Sequence, residues 1–138
     1  MQKKPTTKGD PKGTARLGLE RLAVVKAEGV VDRAGIEACD YLITRAGPDT
    51  KGAVVDLTQA THVDYRATVI LVARRRVLKA KGGELAVAAG SRSVRDIIRA
   101  SAGSELQVFP TVDEALSYVR GDGEVAVVAA KKSVERAR

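Results

Sequence analysis

Apolar and β-branched residues recur along this chain in short blocks set apart by glycine, proline and charged turns. The period inside each block assigns the element. Order is expected to begin near Leu17 to Leu22, where LERLAVVKAEG accommodates one or two strands ending at Gly29. Asp32 then stands where an N-cap satisfies free helix N–H groups, and Ile36, Cys39, Leu42, Ile43 and Ala46 follow at helical spacing until Gly47-Pro48 stops the run. GAVVDL, 52–57, is too short and too β-branched for a helix and reads as a central strand buried on both faces. GGELAVAAG, 82–90, and LQVF, 106–109, repeat that pattern.

Helices lie between these strands. Ser93 precedes Val94, Ile97, Ile98 and Ser101 on one face, with Arg92, Arg95 and Arg99 turned elsewhere and Gly103 closing the helix. Thr111-Val112-Asp113-Glu114 supplies a capping box for a last helix that carries Ala115, Leu116 and Val119 and ends near Gly121. From Tyr65 to Lys81, at about 100° per residue, Val69, Ile70, Ala73, Val77 and Ala80 form one stripe expected to bury against the sheet. Ala67, Leu71 and Leu78 form a second, which either widens that buried face or stands exposed as a partner surface, burial being preferred. Strands alternating with helices of this length predict an α/β fold with a largely parallel sheet.

Composition narrows the picture. A chain of 138 residues fits one compact domain with tails, and with aromatics at 3% the core is built from Val, Leu, Ile and Ala. Residues 1–15 mix Lys, Thr, Gly and Pro without apolar periodicity and read as a disordered basic tail. The domain is expected over 16–120, followed by an extension, 121–138, that is left open between strand, helix and tail. The net charge of +7 invites an anionic partner, yet Met1 to Arg16 holds five cations against Asp10 and so carries +4 of it. Cys39 stands alone, which excludes an intramolecular disulfide framework or a multi-cysteine metal site; at a helical core position it reads as packing. No apolar run approaches the roughly 20 residues of a membrane-spanning helix, and the start lacks an export signal, so the cytoplasm is the expected location.

Candidate chemistry is sparse. There is no phosphate-cradling glycine loop and no metal-ligand spacing, and the single histidine, His62, reads as packed or solvent-facing. Asp56 at a strand end and Asp64 before a helix suit capping better than acid–base work. No catalytic residue, metal or cofactor is therefore expected. Arg66, Arg74, Arg75, Arg76, Lys79 and Lys81 have no acid on their own helix, which allows an anionic partner, although such a run is commonly a solvated face.

The order of these signals resembles the STAS domains, which include the bacterial anti-sigma factor antagonists. The similar residues are Gly29-Val-Val-Asp32, Val54-Val55-Asp56-Leu57, Thr61-His62-Val63-Asp64, Arg74-Arg75-Arg76, and Gly82-Gly83 before Glu84-Leu85-Ala86-Val87. Ser93-Val94-Arg95, Ala102-Gly103 and the run from Phe109 to Leu116 extend the likeness over about Leu22 to Val119. It implies a STAS-like single domain, with a mixed sheet of four or five strands and about four helices. It also implies a non-catalytic protein-binding module in bacterial signalling, whose partner is an anti-sigma factor, a kinase-like protein or another signalling protein. In that family the Ser directly after the Asp accepts phosphate from the partner kinase. Here Asp64 is followed by Tyr65, then Arg66 and Ala67, with Thr68 one turn into the helix. The resemblance thus implies a partner-binding edge of Asp64, Tyr65, Arg66 and Thr68 without the serine switch. The alternatives are that Tyr65 folds back over the sheet edge and Arg66 pairs with a nearby acid. At the level of function, a nucleotide or small-ligand sensor and a nucleic-acid binder using the tail and the basic helix rank behind.

Overall fold

The computed structural model describes residues 21–120; the basic tail, 1–15, and the extension, 121–138, lie outside the described residues. Among the described residues six strands and four α-helices follow one another, as β1 (Leu22–Lys26), β2 (Gly29–Val31), α1 (Arg33–Arg45), β3 (Gly52–Asp56), β4 (Ala60–Val63), α2 (Thr68–Ala80), β5 (Glu84–Ala88), α3 (Arg92–Ala102), β6 (Gln107–Phe109) and α4 (Val112–Arg120). A 3-10 turn, Tyr65–Ala67, joins β4 to α2.

The main sheet has the order β1-β3-β5-β6, and β2 pairs with β4 in a small separate ladder. Every ladder among the described residues is parallel. The small ladder continues β1 and β3 past a bend. Ala27 donates its N–H to the Asp56 carbonyl at 3.1 Å and Gly29 to the Gln59 carbonyl at 3.0 Å, so pairing persists while the chain turns out of the sheet plane.

Side-chain alternation assigns the two faces of the sheet. Ala53, Val55, Leu57, Leu85 and Val87 meet Ile36, Cys39, Ile43, Leu71, Leu78 and Ile98 of the first three helices. Val54, Ala86 and Ala88 point the opposite way, onto Ala115 of α4. Both faces of β3 and β5 are covered, which is why their sequences are continuously apolar.

Local signals hold the helix starts. The Asp32 carboxylate accepts the Gly35 N–H at 2.9 Å, and the Thr111 hydroxyl accepts that of Glu114 at 3.2 Å. α3 opens after Ser91 rather than at Ser93, because the Ser91 hydroxyl is the one that faces the Val94 N–H.

The structure buries the second stripe of α2, Ala67, Leu71 and Leu78, as preferred, and packs Ile70 of the first partly against the core, but it corrects the rest of the first stripe. Thr68, Leu71 and Leu78 point inward, while Val69 and Val77 of the other stripe are 61% and 47% exposed and Ala73 and Ala80 lie exposed beside them. Two forces turn the helix this way. Leucines at the sheet remove more apolar area from water than valine and alanine would. Arg74 and Arg75, flanking Leu71 and Leu78, also reach Asp40 at 2.7 Å and Glu84 at 2.6 Å. The basic run therefore has acidic companions after all, supplied by α1, β5 and the α3–β6 turn, where Glu105 meets Arg76 at 3.0 Å.

Candidate functional site

The β4–α2 junction is built around one carboxylate. Asp64 leaves the small ladder with its N–H on the Val31 carbonyl at 2.9 Å and caps the 3-10 turn, its Oδ1 accepting the Arg66 N–H at 2.9 Å. The Arg66 guanidinium bends back onto the same oxygen at 3.2 Å. These bonds, the backbone N–H first and the side chain second, hold the Asp64 carboxyl below the usual carboxylate range. Asp64 is thereby fixed as an anion that shapes the turn.

With Asp64 fixed, its neighbours are displayed. Tyr65 is 63% exposed, and the Arg66 guanidinium carbon lies 5.9 Å from its ring centroid. Tyr65 thus projects outward, while Arg66 pairs with an acid as the alternative reading allowed. Thr68 has a different place. It is 2% exposed, and its hydroxyl donates to the Tyr65 carbonyl at 2.9 Å and lies 3.0 Å from the Ser101 hydroxyl. Ser101 donates in turn to the Ile97 carbonyl at 2.8 Å. Thr68 therefore joins the turn to α3 from beneath, and the exposed edge consists of Asp64, Tyr65 and Arg66.

Beside Tyr65 runs a shallow apolar groove of about 240 Å³, lined by His62, Val63, Tyr65, Ile97, Ala100 and Ser101. Val30, 71% exposed, extends its apolar surface, because its ladder position is opposite His62. The α3 wall was not anticipated from sequence. Its signal was the width of the α3 apolar face: Val94 and Ile98 fill the core, leaving Ile97, one position round the helix, half-buried at the groove. Asp56, the other carboxylate considered, lies apart from this site. It closes a turn at the end of β3, accepting the Thr58 N–H at 2.9 Å and the Thr58 hydroxyl at 2.6 Å.

Among the described residues, no helix is long and apolar enough to cross a membrane. No curated protein sequence matches the chain. Two solved structures share its fold. The anti-sigma factor antagonist SpoIIAA in its unphosphorylated form is 21% identical with a TM-score of 0.53, the match covering 71% of this chain and 88% of that one. A sulfate transporter family protein from Wolinella succinogenes is 15% identical with a TM-score of 0.52, the match covering 78% of this chain and 89% of that one. The sequence pattern of the STAS domain matches residues 18–115, which take in every strand described above and the start of α4. Matched over that span and folded like these two proteins, the chain belongs to the STAS domain family.

Proposed function

We propose that this domain is a non-catalytic protein-binding module of bacterial signalling, working in the cytoplasm in the manner of an anti-sigma factor antagonist but without serine phosphorylation at its docking edge. The observation that carries this reading is the display of Tyr65 and Arg66 on a turn locked by Asp64, next to an apolar groove. A rigid aromatic beside a guanidinium is the pairing that anchors protein interfaces, and the groove offers an apolar partner side chain a seat between Tyr65 and α3. A tyrosine hydroxyl stands at the far end of a ring, well away from where a serine hydroxyl would present itself to a kinase. The partner is an anti-sigma factor, a kinase-like protein or another signalling protein.

Calorimetry of the full chain with a kinase-type anti-sigma factor from the same cell tests the edge. Tyr65→Asp is expected to weaken binding at least a hundredfold while the thermal midpoint stays within a few degrees. Unchanged affinity would remove Tyr65 from the interface. Incubation of the wild-type chain with that kinase and ATP, followed by peptide mass spectrometry, is expected to leave residues 64–68 unmodified.

A further inference from the structure

The exposed surface next to the edge continues along α2. Tyr65, Val69, Ala73 and Val77, each four residues after the last, are all exposed and form one apolar ridge running diagonally over the outer side of the helix. Ridges of this spacing are the ones between which a second helix lays its own side chains. Arg66 and Arg76 border the ridge, each three residues from one of its members, and are exposed, and α2 itself has no acid. Their present partners are Asp64 and Glu105. Ion pairs held by such exposed cations contribute little, so an incoming carboxylate can share or replace them.

We propose that this ridge seats an amphipathic helix of the protein partner, with apolar residues at three- and four-residue spacing bordered by Asp and Glu. The inference rests on the binding-module reading above and names the chemistry of the partner. Charge selects this occupant. A second copy packed through the same face would bring Arg66 and Arg76 against their own kind, an arrangement that like charges oppose. A lipid surface is gripped through Leu, Phe or Trp, whereas valine and alanine bury too little area to hold a domain there. A helix with acidic borders satisfies both the ridge and the cations.

The test is a titration of the full ¹⁵N-labelled chain, followed by two-dimensional NMR. The probe is a 16-residue amphipathic peptide with leucines at three- and four-residue spacing and glutamate borders; its control carries lysine borders. The glutamate peptide is expected to shift the amides of Val69, Ala73 and Val77 saturably and to bind at least tenfold more weakly to Ala73→Glu. The lysine peptide is expected to leave them unmoved. No saturable shift at millimolar peptide, or equal binding of both peptides, would overturn the proposal. So would broadening of the same amides by phosphatidylglycerol vesicles or by raised protein concentration alone, which would assign the ridge to a membrane or to a second copy. Shifts confined to His62, Ile97 and Ala100 would leave the docking edge standing and remove the α2 seat. Shifts along α2 that survive Tyr65→Asp would keep the seat and remove Tyr65 from the edge.

Discussion

Arg75 and Glu84 close a two-pronged ion pair beneath α2, Nε to Oε1 at 2.6 Å and Nη2 to Oε2 at 3.2 Å, with the two side chains only 17% and 13% exposed. The pair ties α2 to the first residue of β5. Tyr118 of α4 adds its hydroxyl to Glu84 Oε2 at 3.2 Å, so one carboxylate links elements from both sides of the sheet.

Replacing that carboxylate while keeping its shape isolates its charge. Glu84→Gln leaves the largely enclosed Arg75 guanidinium with only the more distant Glu105, at 4.0 Å, as counterion, and is expected to cost about 2 kcal/mol, less than for a fully buried pair because some water reaches this one. Burial pushes the Glu84 carboxyl up, but the bonds from Arg75, the Leu85 N–H and Tyr118 outweigh it, and the net displacement is below the ordinary value of 4.5. A group bound less tightly by protons when folded stabilises the fold fully above its unfolded value and loses that contribution as pH falls through the folded one. Urea melts of wild type should therefore weaken as pH drops below about 4.5, and the difference between wild type and Glu84→Gln should shrink over the same range. A difference that stays constant down to pH 2 would show that the charge is not what matters.

Strands and capped helix starts were legible in the sequence because their causes are local. GAVVDL is a strand wherever it is buried, and Asp32 caps whatever helix follows it. The face that α2 turns inward was legible only in part: burial of Leu71 and Leu78 was expected, exposure of the other stripe was not. Val69, Ala73 and Val77 match the helical period as well as Leu71 and Leu78 do, and the deciding contacts come from Asp40, 34 residues before Arg74 in the chain, and from Glu84, nine residues after Arg75. The proposed docking edge divides the same way. The Asp64 cap follows from its place before a helix, whereas the burial of Thr68 depends on Ser101, 33 residues on, which only the packed fold brings near.

The junction between α2 and β5 sets a steric limit. A Cβ placed on Gly83 would overlap the Lys51 carbonyl, which accepts the Glu84 N–H at 3.0 Å and so cannot withdraw without breaking the start of the sheet. Gly83→Ala is expected to destabilise by roughly 3 kcal/mol or more, or to prevent folding altogether. Gly82 is the control. Its φ of +87° strains any side chain, but a Cβ there meets nothing within 4 Å, so Gly82→Ala should cost only about 1 kcal/mol. Equal losses in chemical denaturation would mean that the Lys51 backbone yields.

Thr68 separates support from contact. Thr68→Val keeps the volume and removes the hydroxyl that holds the Tyr65 carbonyl, so stability is expected to fall by about 1 kcal/mol. With the side chain almost wholly enclosed, partner affinity should change less than twofold at a temperature where both proteins are folded. A tenfold loss of affinity with an unchanged melting curve would place Thr68 in the interface itself.

Placing a serine after Asp64 tests the proposal that this edge lacks a phosphorylation switch because of Tyr65. The side chain at 65 is exposed, so Tyr65→Ser is expected to change stability by less than about 0.5 kcal/mol. A phosphoserine there would carry nearly two negative charges next to Asp64, whose carboxylate is already anionic and held by Arg66. That charge would compete for the Arg66 guanidinium and free it from its present pairing, altering the surface a partner meets. Incubated with the cognate kinase and ATP, the variant should gain one phosphate at residue 65 and then lose its partner, while wild type gains none. If the serine variant stays unmodified, the kinase reads more than the hydroxyl, and the three residues Arg66, Ala67 and Thr68 are the next to exchange.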